Sequence, residues 1–176
     1  LLLGFIFSDE IDELLASALV VAITMIAGGI ILLFIDRFFR KESIQTEEQV
    51  SYLNALIIGF WQCVAMIPGV SRSAASIIGG MQQNLTRKLA AEFSFFLAVP
   101  TMAAATGYKL YKGYNSISEE DIKLFAIGNA VAFVVAVLAI KFFIGFLQKH
   151  GFKLFGYYRI TGGIILLALI LAGVIK

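Results

Sequence analysis

Four apolar stretches, each near the length needed to cross a bilayer, dominate this chain and decide what it can fold into. A hydrocarbon core of about 30 Å takes about 20 apolar residues as a helix, because in lipid every backbone N–H and C=O must be paired within the protein. Residues 14–35 form the first such run, which ends at Asp36-Arg37. Residues 89–108 form the second, with Pro100 as an expected kink. Residues 124–147 are the third and 160–175 a shorter fourth. The connections are polar: 109–121 carries Gly113, Asn115, Ser116 and Ser118, and 148–159 carries Lys149, His150, Lys153 and Arg159. Charged residues make up 15% of the chain and hydrophobic ones 60%, against about 25% charged in ordinary soluble domains. That excludes a disordered segment and a typical cytosolic enzyme. A net charge of +2 is too small for a polyanion-binding surface, so no nucleic-acid partner is expected. One cysteine, Cys63, excludes a disulfide framework and a multi-cysteine metal site. The expectation is an all-α, polytopic membrane helix bundle forming a single membrane domain over 1–176.

Residues 53–85 break the pattern. An apolar stretch of about one half-span stops at Pro68-Gly69, Ser71-Arg72-Ser73 follows, and a second short stretch rich in small residues completes the segment. Neither half crosses a bilayer alone. Two half-helices around a polar break describe a broken helix or a re-entrant hairpin. Loop charges choose between them. With a hairpin, Arg37, Arg40, Lys41, Arg87, Lys88, Lys149, Lys153 and Arg159 share one face, against Lys109, Lys112, Lys123 and Lys176 on the other. A crossing segment evens the split, so the positive-inside rule favours a hairpin opening from the cytoplasmic side, with the C-terminus outside.

The hexapeptide GGIILL occurs at 28–33 and again at 162–167, an offset of 134 residues. In the hairpin topology the two helices that carry it run in opposite directions, as an inverted repeat requires; chance recurrence in two glycine- and aliphatic-rich spans is the alternative. On the repeat reading, 14–35 ends the first repeat and 160–175 the second. Together with Leu1 in place of a Met, this leads to the expectation of a C-terminal fragment, with residues 1–7 the tail of an upstream element.

The polar break carries the chemistry. Arg72 at mid-depth costs about 2.5–3.5 kcal/mol on insertion scales and must find a partner. Glu92 on the next span is one candidate, and an anion is the other. Gly69 allows a sharp turn, the following helix begins with unpaired N–H groups, and Ser71, Ser73 and Ser76 add hydroxyls. The arginine fork matches phosphate oxygens. Gly69, Ser71, Arg72, Ser73 and Ser76 are therefore the candidate phosphate-binding residues. Ser71 reads equally well as a helix cap. Gln62 either supports the site or bonds a backbone carbonyl, and Glu92 is either a supporting residue or a boundary charge. No P-loop, paired-histidine zinc motif or Ser/His/Asp set is present. Ile78 stands six residues after Arg72, where lipid phosphatases of the S-R-x5-H type place a histidine.

The stretch GFWQCVAMIPGVSRSAASIIGG (59–80), followed by AAEFSFFLAVP (90–100), resembles the bacterial undecaprenyl-diphosphate phosphatase, or bacitracin resistance protein, family. Of its P-G-x-S-R-S-x-x-T signature, Pro68, Gly69, Ser71, Arg72 and Ser73 match, and Ser76 replaces the threonine. The resemblance implies a fold of two inverted repeats, each with a re-entrant hairpin; this chain would be the second half, about four spanning helices plus one hairpin. It implies a hydrolase of the bacterial cytoplasmic (inner) membrane that converts undecaprenyl diphosphate to the monophosphate carrier of cell-wall synthesis. Arg72, Ser71 and Ser73 would be its catalytic residues here. The family's first signature, with E-x-x-x-E and P-x-S-S-T-G-H stretches, supplies the metal contact, nucleophile and proton-transfer histidine, and is not in this sequence. A divalent cation, Mg²⁺ or Ca²⁺, is thus expected to be held outside this fragment, which alone is expected to be inactive. Expected partners are the lipid substrate and the membrane, with a homodimer left open. A transporter or scramblase of a polyprenyl-phosphate lipid, or a catalytically incomplete membrane fragment, is the alternative.

Overall fold

A computed structural model describes residues 14, 17–39, 42–113 and 118–175, with backbone alone at 119 and 120. Residues 1–7, Arg40, Lys41 and Lys176, which enter the sequence reading, lie outside the described residues. The described part is helical: α1 (Ala18–Phe38), α2 (Tyr52–Cys63, extended by a 3₁₀ turn Val64–Met66), α3 (Arg72–Gln82), α4 (Arg87–Gly113), α5 (Glu119–His150) and α6 (Lys153–Leu171). The sole extended pairing among the described residues joins Ile44 to Leu85 and ties the loop after α1 to the α3–α4 turn. Helices α1, α4, α5 and α6 are long and apolar enough to cross a membrane.

Caps set the starts. Ser17 caps α1 by accepting from Val20 N, Ser51 and Asn54 form a reciprocal box at α2, and Ser118 and Asp121 do so at α5. The helix ends differ from the sequence expectation where charges lie inside helices. Asp36 and Arg37, read as a boundary, belong to the last turn of α1. Helix α6 begins at Lys153 rather than 160 and ends at Leu171 rather than 175, so Arg159 is intrahelical and leaves the loop-charge count. The α5–α6 connection shrinks to Gly151 and Phe152. Gly151 adopts φ +65°, and Asp36 Oδ2 accepts from Phe152 N at 3.1 Å. Pro100 does not interrupt α4.

Helices α2 and α3 form a hairpin. Asn54 Nδ2 donates to Gln83 Oε1 at 3.2 Å, Trp61 Nε1 donates to Gln82 Oε1, and the Trp61 side chain packs against Gly79. Both open ends therefore sit on one side, beside Asp36 and Arg87. At about 1.5 Å per residue the two arms reach roughly 20 Å and 16 Å, too short to span. The tip, Pro68-Gly69, seats on α1: Thr24 Oγ1 donates to Pro68 O at 2.6 Å. Gly69 has φ +81°, and a Cβ there would collide with Thr24 Oγ1 and come within 2.7 Å of Val21 O, so only glycine fits.

Helices α1 and α6 cross in antiparallel contact through their glycines, and the contact is two-fold. A Cβ on Gly29 would meet Ile160 Cγ1 and Gly156 O; a Cβ on Gly163 would meet Ile26 Cγ1 and Ala22 O. Gly28 faces Arg159, and Gly162 faces Met25. Each pair maps onto the other by the 134-residue offset of the GGIILL echo. The echo is thus a structural two-fold, with Met25 in the place that Arg159 holds in α6. Small residues let the backbones approach where helix association in lipid relies on packing.

Candidate functional site

Helix α3 starts where the left-handed turn at Gly69 redirects the chain. Ser71 is its N-cap: its Oγ accepts from Ala74 N at 3.3 Å and lies 3.2 Å from Ser73 Oγ. The backbone N–H groups of Arg72 and Ser73 have no hydrogen-bond partner among the described residues. The positive end of the helix dipole, two free N–H groups and two hydroxyls thus converge. Ser71, Ser73 and Arg159 line a cavity of about 170 Å³ walled by Phe143, Phe152 and Phe155.

The sequence-derived residues do not all meet here. Arg72 is half-buried, makes no ion pair among the described residues, and donates one long hydrogen bond, 3.5 Å, from Nη1 to Ser94 O. It is neither in open solvent nor locked by a carboxylate. Glu92 is not its partner: Glu92 sits 3.7 Å from Lys88 Nζ, one turn back on α4. It lines a separate, wider groove of about 770 Å³ with Phe96, Val99 and Ile140. Helical geometry explains the separation, because Ala90 and Ser94 face α3 while Glu92 lies on another side of α4. Ser76 also departs from its expected role. It is fully buried, donates to Arg72 O at 3.0 Å and lies 2.7 Å from Ser94 Oγ, so it pins α3 to α4 instead of facing the cavity. Among the described residues the Gln62 side chain makes no hydrogen bond, and its Oε1 is buried without a partner. Gly69 contributes its turn and its carbonyl.

Arg159 is the residue that sequence reading missed. Its Nη2 donates to Gly69 O at 2.5 Å and lies 3.4 Å from Thr24 O, while its buried Nε has no partner. The available signal was the charge itself: an arginine seven residues after a short turn reads as loop unless the turn is known to close at Phe152. Asp36 was also missed. Its Oδ1 lies 2.9 Å from Arg87 Nε, close but poorly aligned as a hydrogen bond, so one carboxylate ties the end of α1 to the starts of α4 and α6.

A divalent cation needs several acidic or imidazole ligands together. No group of three or more His, Cys, Asp or Glu that could hold one occurs among the described residues, and the site's own donors are hydroxyls, N–H groups and guanidinium. These residues do not fit a cation by themselves.

Residues 1–165 match the family described as bacitracin resistance protein BacA. The chain belongs to that family. It is 57% identical to an undecaprenyl-diphosphatase of Flavobacterium psychrophilum, over 94% of this chain and 63% of that protein. It is 52% identical to an undecaprenyl-diphosphatase of Porphyromonas gingivalis, over 98% of this chain and 62% of that protein. A relative of the same name from Bdellovibrio bacteriovorus is 48% identical over 98% of this chain and 66% of its own length. The chain thus spans somewhat under two thirds of the length of its first two relatives. Family membership and four membrane-competent helices make this a multi-pass membrane protein.

Proposed function

We propose that this chain supplies the phosphate-binding part of a bacterial inner-membrane enzyme. The enzyme hydrolyses undecaprenyl diphosphate to undecaprenyl phosphate and phosphate, returning the carrier lipid to cell-wall synthesis. The observation that carries the proposal is the start of α3, where Ser71 and Ser73 hydroxyls 3.2 Å apart adjoin two free N–H groups beside a cavity within an apolar bundle. Such an array donates hydrogen bonds and offers positive charge, as a phosphoryl group in transfer requires. Arg72 leads the helix; its side chain points toward Ser94 O on α4 rather than lining that cavity, and with a single weak partner most of its fork remains to bind a phosphate oxygen at the edge of the site.

The groove between α4 and α5 offers the prenyl chain an apolar channel, each buried CH₂ contributing about 0.8 kcal/mol. Phe95 lines that groove, Phe143 lines the phosphate cavity, and their rings meet edge to face at 5.9 Å, so an aromatic pair divides tail space from headgroup space. Arg87, Lys88, Lys149 and Lys153 cluster at the open end of the hairpin, while Lys109, Lys112 and Lys123 lie at the far ends of α4 and α5. The open end is assigned to the cytoplasm on that charge difference.

Phosphate release from undecaprenyl diphosphate by the complete gene product tests the reading. Arg72→Ala is expected to lower kcat about 10³-fold with normal expression, and Arg72→Lys is expected to fail as well. Unchanged release by Arg72→Ala removes that residue from the site. Lipid flipping in liposomes without phosphate release would favour a transporter instead.

A further inference from the structure

We propose that Arg159 is a second guanidinium of the phosphate site, binding a phosphate oxygen of the diphosphate headgroup together with Ser71 and Ser73. This rests on the phosphatase reading and adds a residue to it from outside the PGVSRS segment. Arg159 lies within a span-forming helix, a costly place for a charge that lacks a counter-charge. Among the described residues it has no carboxylate partner; its bonds go to two backbone carbonyls through one nitrogen, and its buried Nε is unsatisfied. A guanidinium carries five N–H donors, so most remain to be used.

The unused donors have a destination. Arg159 shares the 170 Å³ cavity with Ser71 and Ser73, a volume several times the roughly 30 Å³ a water occupies and sufficient for a phosphate group. The two-fold of the α1–α6 seam removes the packing explanation. Met25 occupies the equivalent position on α1, against Gly162 as Arg159 is against Gly28. The seam accepts an uncharged side chain there, so packing alone does not call for the charge that α6 places beside the Gly69 turn and the cavity.

The competing role is a staple: Arg159 holding Gly69 O and nothing more. Arg159→Met copies the symmetry mate and removes the charge; Arg159→Lys keeps the charge and a donor for Gly69 O but loses the fork. Both are made in the complete gene product. KM for undecaprenyl diphosphate, inhibition by farnesyl monophosphate, competition by uncharged farnesol, and the thermal upshift with inorganic pyrophosphate are measured. Anion binding predicts a KM raised at least tenfold in Arg159→Met and severalfold in Arg159→Lys. It also predicts weaker inhibition by farnesyl monophosphate, a smaller pyrophosphate upshift, and unchanged farnesol competition. A staple predicts lower thermal stability in Arg159→Met, with KM and anion inhibition at wild-type values in both variants; that result overturns the proposal. If Arg159→Met does not fold, Arg159→Lys decides alone. Absence of phosphate release from the wild type would sink the phosphatase reading, while the pyrophosphate upshift would still decide whether Arg159 binds the anion.

Discussion

The pair α1–α6 and the pair α4–α5 are both made of apolar, glycine-containing helices, yet they pack in opposite ways. In the first, Gly28, Gly29, Gly156, Gly162 and Gly163 all meet atoms of the facing helix at what would be Cβ contact distance or closer. In the second, Gly107, Gly113, Gly128 and Gly145 meet nothing within 4 Å. Only 6% of the most apolar stretch of α5 is buried, and Phe133, Phe142 and Leu138 project outward. Hydropathy separates lipid from water but does not separate protein from lipid; the register in which small residues come together does. The hairpin tip lies on the tight pair, so the candidate site is mounted on closely packed helices.

The same substitution in both regions would break this contrast if it is wrong. Gly163→Leu forces a side chain onto Ala22 O and the Ile26 backbone. It is expected to cost more than about 3 kcal/mol, seen as loss of the monodisperse species in detergent chromatography. Asp36→Ala removes the carboxylate that joins α1 to Arg87 and Phe152. A loss of about 1.5–3 kcal/mol is expected, read as a lower melting temperature, with Arg87→Ala alongside showing non-additive loss. Ser76→Ala breaks the buried contact to Ser94 and is expected to cost about 0.6–1.7 kcal/mol, the range of interhelical hydrogen bonds in membranes. Because Ser76 does not face the cavity, KM is expected to stay within twofold, and a large rise would return it to the binding set. Gly128→Leu is expected to change melting by less than about 0.5 kcal/mol. A collapse equal to that of Gly163→Leu would show that α5 is covered by protein rather than lipid.

Much of this architecture is legible in the residues because lipid imposes length and polarity rules that water does not. The four long helices and the interrupted segment around Pro68-Gly69 follow from run length alone. The echo of GGIILL pointed to a two-fold whose contacts the seam displays. Charges near helix ends are what misled. Asp36 and Arg159 read as boundaries because a sequence cannot show that Phe152 N, Arg87 and the Gly69 carbonyl will answer them. Ser73 and Ser76 share a helical face in projection, yet that face is divided: Ser73 borders the cavity and Ser76 turns to α4, a split set by where the next helix docks. Ser71 caps the helix and also lines the cavity, so its role as a cap leaves it beside the proposed phosphate position.

The turn at the hairpin tip sorts its own polarity. Pro68 O and Gly69 O are turned toward the seam and consumed by Thr24 and Arg159, while the N–H groups of Arg72 and Ser73 have no hydrogen-bond partner among the described residues. With these two carbonyls already spoken for, the tip has hydrogens to offer, a bias that favours anions over cations. On the proposed function, charge selection would begin in the backbone, and side-chain exchange at the tip would alter turnover more readily than which charge is admitted.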